Sequence, residues 1–303
     1  MGSHGLHQID ENDANYPVPV VNAAGQLQFS QLVNGKVVMN PLINPAFGSL
    51  QIGYGNGFSK YNALQLSVNR HLTGNWTAQV SYTYSECIDD GSGSYLVDGG
   101  TVLANPLNRS YDNGWCAYYN RQNLVANSTY TLPFHKNQLV QGWQLSGVFT
   151  SHTGYPVNIS DGFAQAFSGG GANRPNLAPG CSNNPKLTTG NTVQHYFDTT
   201  CFTLPPVGVL GNLARNTLIG PGYADFDSSL SKTTRVPKIS EQFAVQFRAE
   251  FFNLLNHPNF GAPATGLFVQ AANGGGNPNP TAGRITATVN PARQIQFGLK
   301  ILF

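Results

Sequence analysis

Charge is what this chain has least of. Asp, Glu, Lys and Arg make up 10% of its 303 residues, against roughly 25% in ordinary soluble domains. The formal net charge is only +2, and no cluster of Lys and Arg stands out, so the electrostatic footprint of a nucleic-acid binder is missing and no nucleic-acid partner is expected. Long apolar runs are absent too: no stretch reaches the about 18 residues of a transmembrane helix, which excludes that class of membrane protein. The start Met1-Gly2-Ser3-His4 has neither the charged nor the apolar region of a signal peptide. An exported protein would therefore begin upstream of this point, unless Met1 to His4 is a cloning scar.

Catalytic and metal-binding signatures are also lacking. None of the seven histidines stands in an HExxH or paired metal spacing, and no G-x-S-x-G or P-loop occurs. His152 and His195 fall in a long, exposed connection. Gly169-Gly170-Gly171 and Gly274-Gly275-Gly276 read as flexible loop glycine, not as phosphate cradles. Asp89-Asp90-Gly91-Ser92-Gly93 has a calcium-loop flavour, yet it lacks the spaced ligands and closing Glu of an EF-hand. No enzyme, metal or cofactor is expected. The four cysteines, Cys87, Cys116, Cys181 and Cys201, show no CxxC spacing; an even set of this kind suits two disulfides in an oxidising compartment better than zinc.

What is abundant is strand-period patterning with aromatics. In the last stretch Ile295, Phe297, Leu299, Ile301 and Phe303 share one parity, while Gln294, Gln296, Gly298 and Lys300 share the other. A strand of that period has one greasy and one wet face, and here the greasy parity runs out on a terminal aromatic. An edge strand of a soluble sandwich would explain the alternation; the closing strand of an outer-membrane barrel would also explain the aromatic end.

The same pattern recurs as hairpins. Leu64, Leu66 and Val68 alternate with polar residues before a tight turn at Leu72-Thr73-Gly74-Asn75, and Trp76, Ala78, Val80, Tyr82 and Tyr84 alternate after it. Residues 122–133 return through Pro133 to Gln138 into 140–151, where Trp143, Leu145, Gly147 and Phe149 share a parity. Residues 223–235 return through Val236-Pro237-Lys238 into 240–254, where Phe243, Val245, Phe247, Ala249 and Phe251 oppose Gln246, Arg248 and Glu250. The segments between hairpins, 86–121, 152–222 and 255–290, are long and rich in Gly, Pro, Asn and Ser. Strict alternation of short and long connections is foreign to compact soluble domains and is the habit of outer-membrane barrels, with short periplasmic turns and long extracellular loops. Cys87 and Cys116 fall in one such loop, and Cys181 and Cys201 in the next.

These patterns predict an all-β antiparallel meander: a partial outer-membrane barrel of about seven crossing strands, open and curved. Residues 1–60 form an extracellular loop region with local strands such as 47–54, and 61–303 carry the barrel strands and loops. Residues 284–289 extend the last strand above the membrane. Parity then makes the terminal strand descend, leaving Phe303 in the periplasm. An odd number of crossings makes the first and last parallel, so the chain could not close on itself and reads as a fragment.

Ordered blocks of sequence add a resemblance. Gly2-Ser3-His4-Gly5, Tyr61-Asn62-Ala63-Leu64-Gln65, Ser81-Tyr82-Thr83-Tyr84-Ser85, Gly142-Trp143-Gln144-Leu145-Ser146-Gly147, Gly220-Pro221-Gly222, Phe247-Arg248-Ala249-Glu250-Phe251-Phe252-Asn253 and Pro291-Ala292-Arg293-Gln294-Ile295 stand in that order. The chain resembles the carboxyl-terminal part of TonB-dependent outer-membrane receptors, in particular the large Oar-like receptors that carry a carboxypeptidase-regulatory-like domain upstream. The resemblance implies a barrel of about 22 strands, a plug inside it and transport energised through the TonB complex. It places the chain in the bacterial outer membrane, with lipid and the barrel assembly machinery as partners. The TonB box, the plug and the earlier strands have no counterpart in these residues.

Several residues follow as candidates. Phe297, Leu299, Ile301 and Phe303 would form the barrel-assembly signal. Arg248 and Glu250 share a lumen-side parity and would either bond a plug or form a weak ion pair along their strand. Asp225 and Asp227 share that parity and read as solvated carboxylates. Trp76, Tyr82, Tyr84 and Trp143 suit an aromatic girdle, although any sheet buries aromatics. The alternative reading of the whole is a secreted soluble β-sandwich that binds glycans through loop aromatics.

Overall fold

A computed structural model describes residues 2–70, 75–92, 103–134, 137–138, 140–168, 173–271 and 275–303. Leu72 to Gly74 of the first tight turn, His135 and Lys136 of the second, and Gly93, Gly169 to Gly171 and Gly274 lie outside the described residues. Alternating side chains favour extended backbone, and short connections favour antiparallel neighbours. The result is a nine-stranded sheet, in which the two-residue strand Gly114–Trp115 is a side branch. The other strands are β1 (Gly2–Asp13), β2 (Gln51–Arg70), β3 (Trp76–Asp89), β4 (Gln122–Thr131), β5 (Trp143–His152), β6 (Tyr223–Arg235), β7 (Ala244–Phe252) and β8 (Gln294–Leu302). They pair in sequence order, each antiparallel to the next.

The meander is all-β and not closed: β1 and β8 each pair on one side only. Among the described residues no second sheet covers its faces, so the two-layer packing of a sandwich is not met. Three expectations need correcting. Residues 2–13, placed within the loop region 1–60, form β1 in the main sheet; the resemblance, in which Gly2 to Gly5 matches the top of an ascending strand, marks its start. The local strand expected at 47–54 is the upper end of β2. Since β1 pairs with residues 51–62 of β2, it lines the half of β2 away from the short turns. With β1 the sheet has eight long strands, and among the described residues it is open because the outer edges of β1 and β8 are unpaired. Residues 284–289 do not extend the last strand. Pro291 cannot donate to a ladder, and the backbone before it bonds sideways instead: the NH of Gly261 donates to Ala287 O at 2.9 Å, that of Ala264 to Arg284 O at 2.8 Å, and that of Ile285 to Val193 O at 2.8 Å.

At the opposite end from the short turns, the four long connections fold together into one cap. A hydrophobic cluster is built there from Ile159, Phe197, Phe202, Leu213, Leu218, Leu267 and Ala282. It holds Cys201, bonded to Cys181, while Cys87 and Cys116 bond at the foot of the cap beside Tyr119. Within the connection 14–50, Asn34 (φ 52°) and Gly35 (φ 75°) turn a small hairpin between Ser30–Val33 and Lys36–Met39, the Asn-Gly signature of a tight hairpin. That hairpin is tied down where Phe29, 1% exposed, donates its NH to Gly208 O at 2.8 Å. Gly208 has φ 81°, and a Cβ there would overlap Ser30 O, so only glycine lets the two connections touch.

Candidate membrane-facing wall and surface cap

Register converts the separate parities of the strands into two faces. Directly opposed residues share a face of an antiparallel sheet. One row runs Val68↔Val80, Val80↔Ala126, Ala126↔Phe149, Phe149↔Phe226, and a lower one Leu145↔Leu230, Leu230↔Ala249, Ala249↔Phe297. The opposite face carries Asn69↔Gln79, Gln79↔Asn127, Ser146↔Ser229, Ser229↔Glu250 and Glu250↔Gln296, with Val125, Val148 and, at the strand ends, Phe252, Ala244 and Leu302 among its apolar exceptions. The apolar face is open: Val68 is 69%, Phe297 68% and Leu299 71% exposed. Exposure of that kind on several strands, with Ala249 of the lower row covered and only 4% exposed, is unfavourable in water and marks a surface made for another apolar phase.

Aromatics stand at both ends of this face, and at each end a cation lies over at least one of them. Toward the short turns, Trp76 lies opposite Tyr130 and the Arg70 guanidinium sits 4.5 Å from the Trp76 ring centre. Trp143 lies opposite Lys232, whose ammonium is 5.4 Å from its ring. Toward the cap are Tyr82, opposite Leu66, and Tyr84, with the Arg121 guanidinium 5.7 Å from its ring. At about 3.3 Å per residue, Trp76 and Tyr84 are roughly 26 Å apart along β3, or about 20 Å in height at the usual strand tilt of ~40°. Trp76 and Trp143 thus stand at one end of the face and Tyr82 and Tyr84 at the other.

In β8 the side chains of Ile295, Phe297, Leu299 and Ile301 face the same way as Phe251, Ala249, Phe247 and Val245 of β7. The rings of Phe247 and Phe297 stack at 6.2 Å. Phe303 lies just past the strand and is 94% exposed. Arg248 and Glu250 are on the polar face, joined at 3.2 Å, with the guanidinium half exposed; a pair so placed contributes little. Asp225 and Asp227 also take the polar face, opposite Thr150 and Val148. Asp227 is not merely solvated, since its Oδ1 accepts the Asn253 NH at 2.8 Å.

The buried charges of the cap went unseen in the sequence. Arg174, 2% exposed, donates to Asp112 Oδ1 at 2.7 Å, to Leu213 O at 2.9 Å and to Tyr111 O at 2.7 Å. Arg215 donates to Asp112 O at 2.6 Å, to Ser92 O at 2.7 Å and to the Asp89 carboxylate. Asp90 takes Arg109 at 2.6 Å. The acidic run at 89–90 is therefore consumed by arginines, and among the described residues no cluster of His, Cys, Asp and Glu could hold a metal. Burial pushes the hydroxyls of Tyr111 and Tyr119 up to about 12, and each donates to a carbonyl, Gly211 O at 2.8 Å and Ser85 O at 2.6 Å. Asp161 differs: it is fully buried, neither carboxylate oxygen has a partner among the described residues, and desolvation raises it to about 7. His195 is exposed as expected, but His152 is half-buried against Tyr223, the rings stacked at 5.1 Å.

A single-layer antiparallel wall with one apolar and one polar face, short turns at one end and a folded cap of long loops at the other, defines an outer-membrane barrel segment. Its spanning elements are strands; no helix among the described residues is long and apolar enough to cross a membrane. Comparison with known families agrees: the model described as an outer membrane beta barrel domain matches residues 1–296, and the chain belongs to that family. Its place is the bacterial outer membrane, with lipid around the wall. No match was found among curated proteins or among solved structures.

Proposed function

We propose that this chain supplies part of the barrel wall and the surface cap of a TonB-dependent receptor of the Oar-like type, with the cap as its ligand-binding surface and no catalytic role. The observation that carries the reading is the coincidence of the register-aligned apolar face with four long connections gathered into one disulfide-bonded cap at a single end. The ordered sequence blocks resembling that receptor group support the finer assignment. In this reading further strands pair with the open edges β1 and β8, the polar face carrying Arg248 and Glu250 lines the lumen, and TonB engages a plug elsewhere in the receptor.

Phe303 and the parity of Phe297, Leu299 and Ile301 serve as the signal read by the barrel assembly machinery. The two aromatic rims, Trp76 with Trp143 and Tyr82 with Tyr84, mark the two membrane interfaces. Deleting Phe303 from the intact receptor should sharply reduce its outer-membrane level; unchanged levels in fractionated membranes would remove the signal assignment. Uptake or export of the cognate substrate should stop when TonB is deleted or the proton gradient is collapsed. Transport that persists under both treatments would sink the TonB assignment.

A further inference from the structure

The cap contains a cavity of about 630 Å³ between the connection after β3 and the connection after β5, within the usual size for a small-ligand site. Its charged lining is Arg121 and Lys186, with no carboxylate among the lining residues. Both cations are exposed; the Arg121 guanidinium also lies 5.7 Å from the Tyr84 ring, and the Lys186 ammonium makes no ion pair among the described residues. Trp115 forms part of the wall, half-buried and backed by Tyr119 with the rings stacked at 5.5 Å and an interplanar angle of 9°. The remaining lining is rich in neutral polar groups. Thr217 Oγ1 is buried without a partner among the described residues. Asn184 accepts the Ile219 NH at 3.3 Å through Oδ1, which leaves the two hydrogens of its amide nitrogen to donate.

This wall is built before any ligand arrives. The Cys181–Cys201 bond closes the segment that carries Asn184 and Lys186. The Asp198 NH donates to Pro185 O at 3.2 Å, and the Tyr196 hydroxyl donates to Ile219 O at 3.1 Å. Preorganisation of this kind lowers the ordering cost of binding. We infer that the cavity is a binding site for an acidic oligosaccharide: carboxylate groups meet Arg121 and Lys186, hydroxyls meet the amide of Asn184, and a sugar face lies against Trp115. A simple anion would use only the two cations, and a neutral sugar would leave them unmatched. This rests on the cap being the ligand-binding surface of the receptor, and it names the class of ligand.

The test uses outer-membrane vesicles carrying the full chain and a fluorescently labelled oligogalacturonate as probe. A neutral malto-oligosaccharide of the same length and inorganic sulfate serve as competitors. Saturable binding is expected, weakened roughly tenfold or more by Lys186→Glu with protein levels and protease resistance of the cap unchanged, and weakened likewise by Arg121→Glu, which also removes the cation from the Tyr84 ring. The neutral oligosaccharide should compete at least about tenfold more weakly than unlabelled probe, and sulfate should not displace it at equal charge. Absence of saturable binding, equal binding by the two variants, or equal competition by the neutral sugar or by sulfate would overturn the assignment. Binding that survives while energised transport fails would keep the site and remove only the transport reading.

Discussion

At the scale of single residues, the cap is held by a few buried charges with opposite behaviour. Arg174 satisfies Asp112 and two carbonyls at once, so Arg174→Met removes the partner of a carboxylate that stays buried. The expected cost is about 3–5 kcal/mol, measured as lost protease resistance of the cap in urea. Asp161 is the reverse case, a buried carboxyl raised to about 7 from an ordinary value near 3.8. A raised folded-state value means that the folded cap holds the proton more tightly than the unfolded chain. Its contribution is therefore full below about pH 4 and is lost as pH rises through about 7, on the order of a few kcal/mol. Cap stability should fall between pH 4 and pH 8, and Asp161→Asn should flatten that decline; an unchanged pH profile in the variant would contradict it. None of this was legible in the sequence. Asp89 and Asp90 invite a local, calcium-like reading, whereas the guanidinium that claims Asp89 lies 126 positions away.

At the scale of elements, parity carried most of the information. Strands β3 to β8 follow runs whose alternation is visible in the chain, although β3 continues to Asp89, past the alternation that stops near Ser85. Strand β1 escaped because Gly2 to Asp13 has no apolar parity to read; it exists through its partner, the upper part of β2. Residues 284–289 failed the other way, with strand-like composition but backbone bonds made to another loop. Within β8 the two faces should respond differently to charge. Leu299→Arg on the apolar face should cost about 2–4 kcal/mol near the bilayer centre, and Gln296→Arg on the polar face close to nothing, measured by urea unfolding in lipid. The cystines act on the cap alone. Removing Cys181–Cys201, which closes a separation of 20, should cost the cap about 3 kcal/mol. Protease resistance should fall there, while the heat-modifiable mobility of the wall stays unchanged.

At the scale of the whole molecule, wall and cap obey different rules. The wall buries little against itself; its apolar side is completed by lipid, and its order comes from ladder hydrogen bonds and register. The cap is a small folded body with its own core, drawn from connections whose Gly, Pro and Asn content reads as irregular loop. Ile159, Phe197, Leu213, Leu218 and Leu267 are scattered through two of those connections without period, so no periodic signal announces their cluster. Alternation of short and long connections did announce which end the cap occupies. The central claim is that the odd-numbered side chains of β7 and β8 face lipid and the even-numbered ones do not. Nitroxide labels placed singly along 244–252 and 294–302 in bilayer-embedded protein test it, using oxygen and a water-soluble nickel chelate as relaxers. Oxygen should dominate at Val245, Phe247, Ala249, Phe251, Ile295, Phe297, Leu299 and Ile301, and nickel at Gln246, Arg248, Glu250, Gln296, Gly298 and Lys300. Accessibility without a period of two, or nickel reaching Phe247, Phe297 and Leu299 freely, would contradict it.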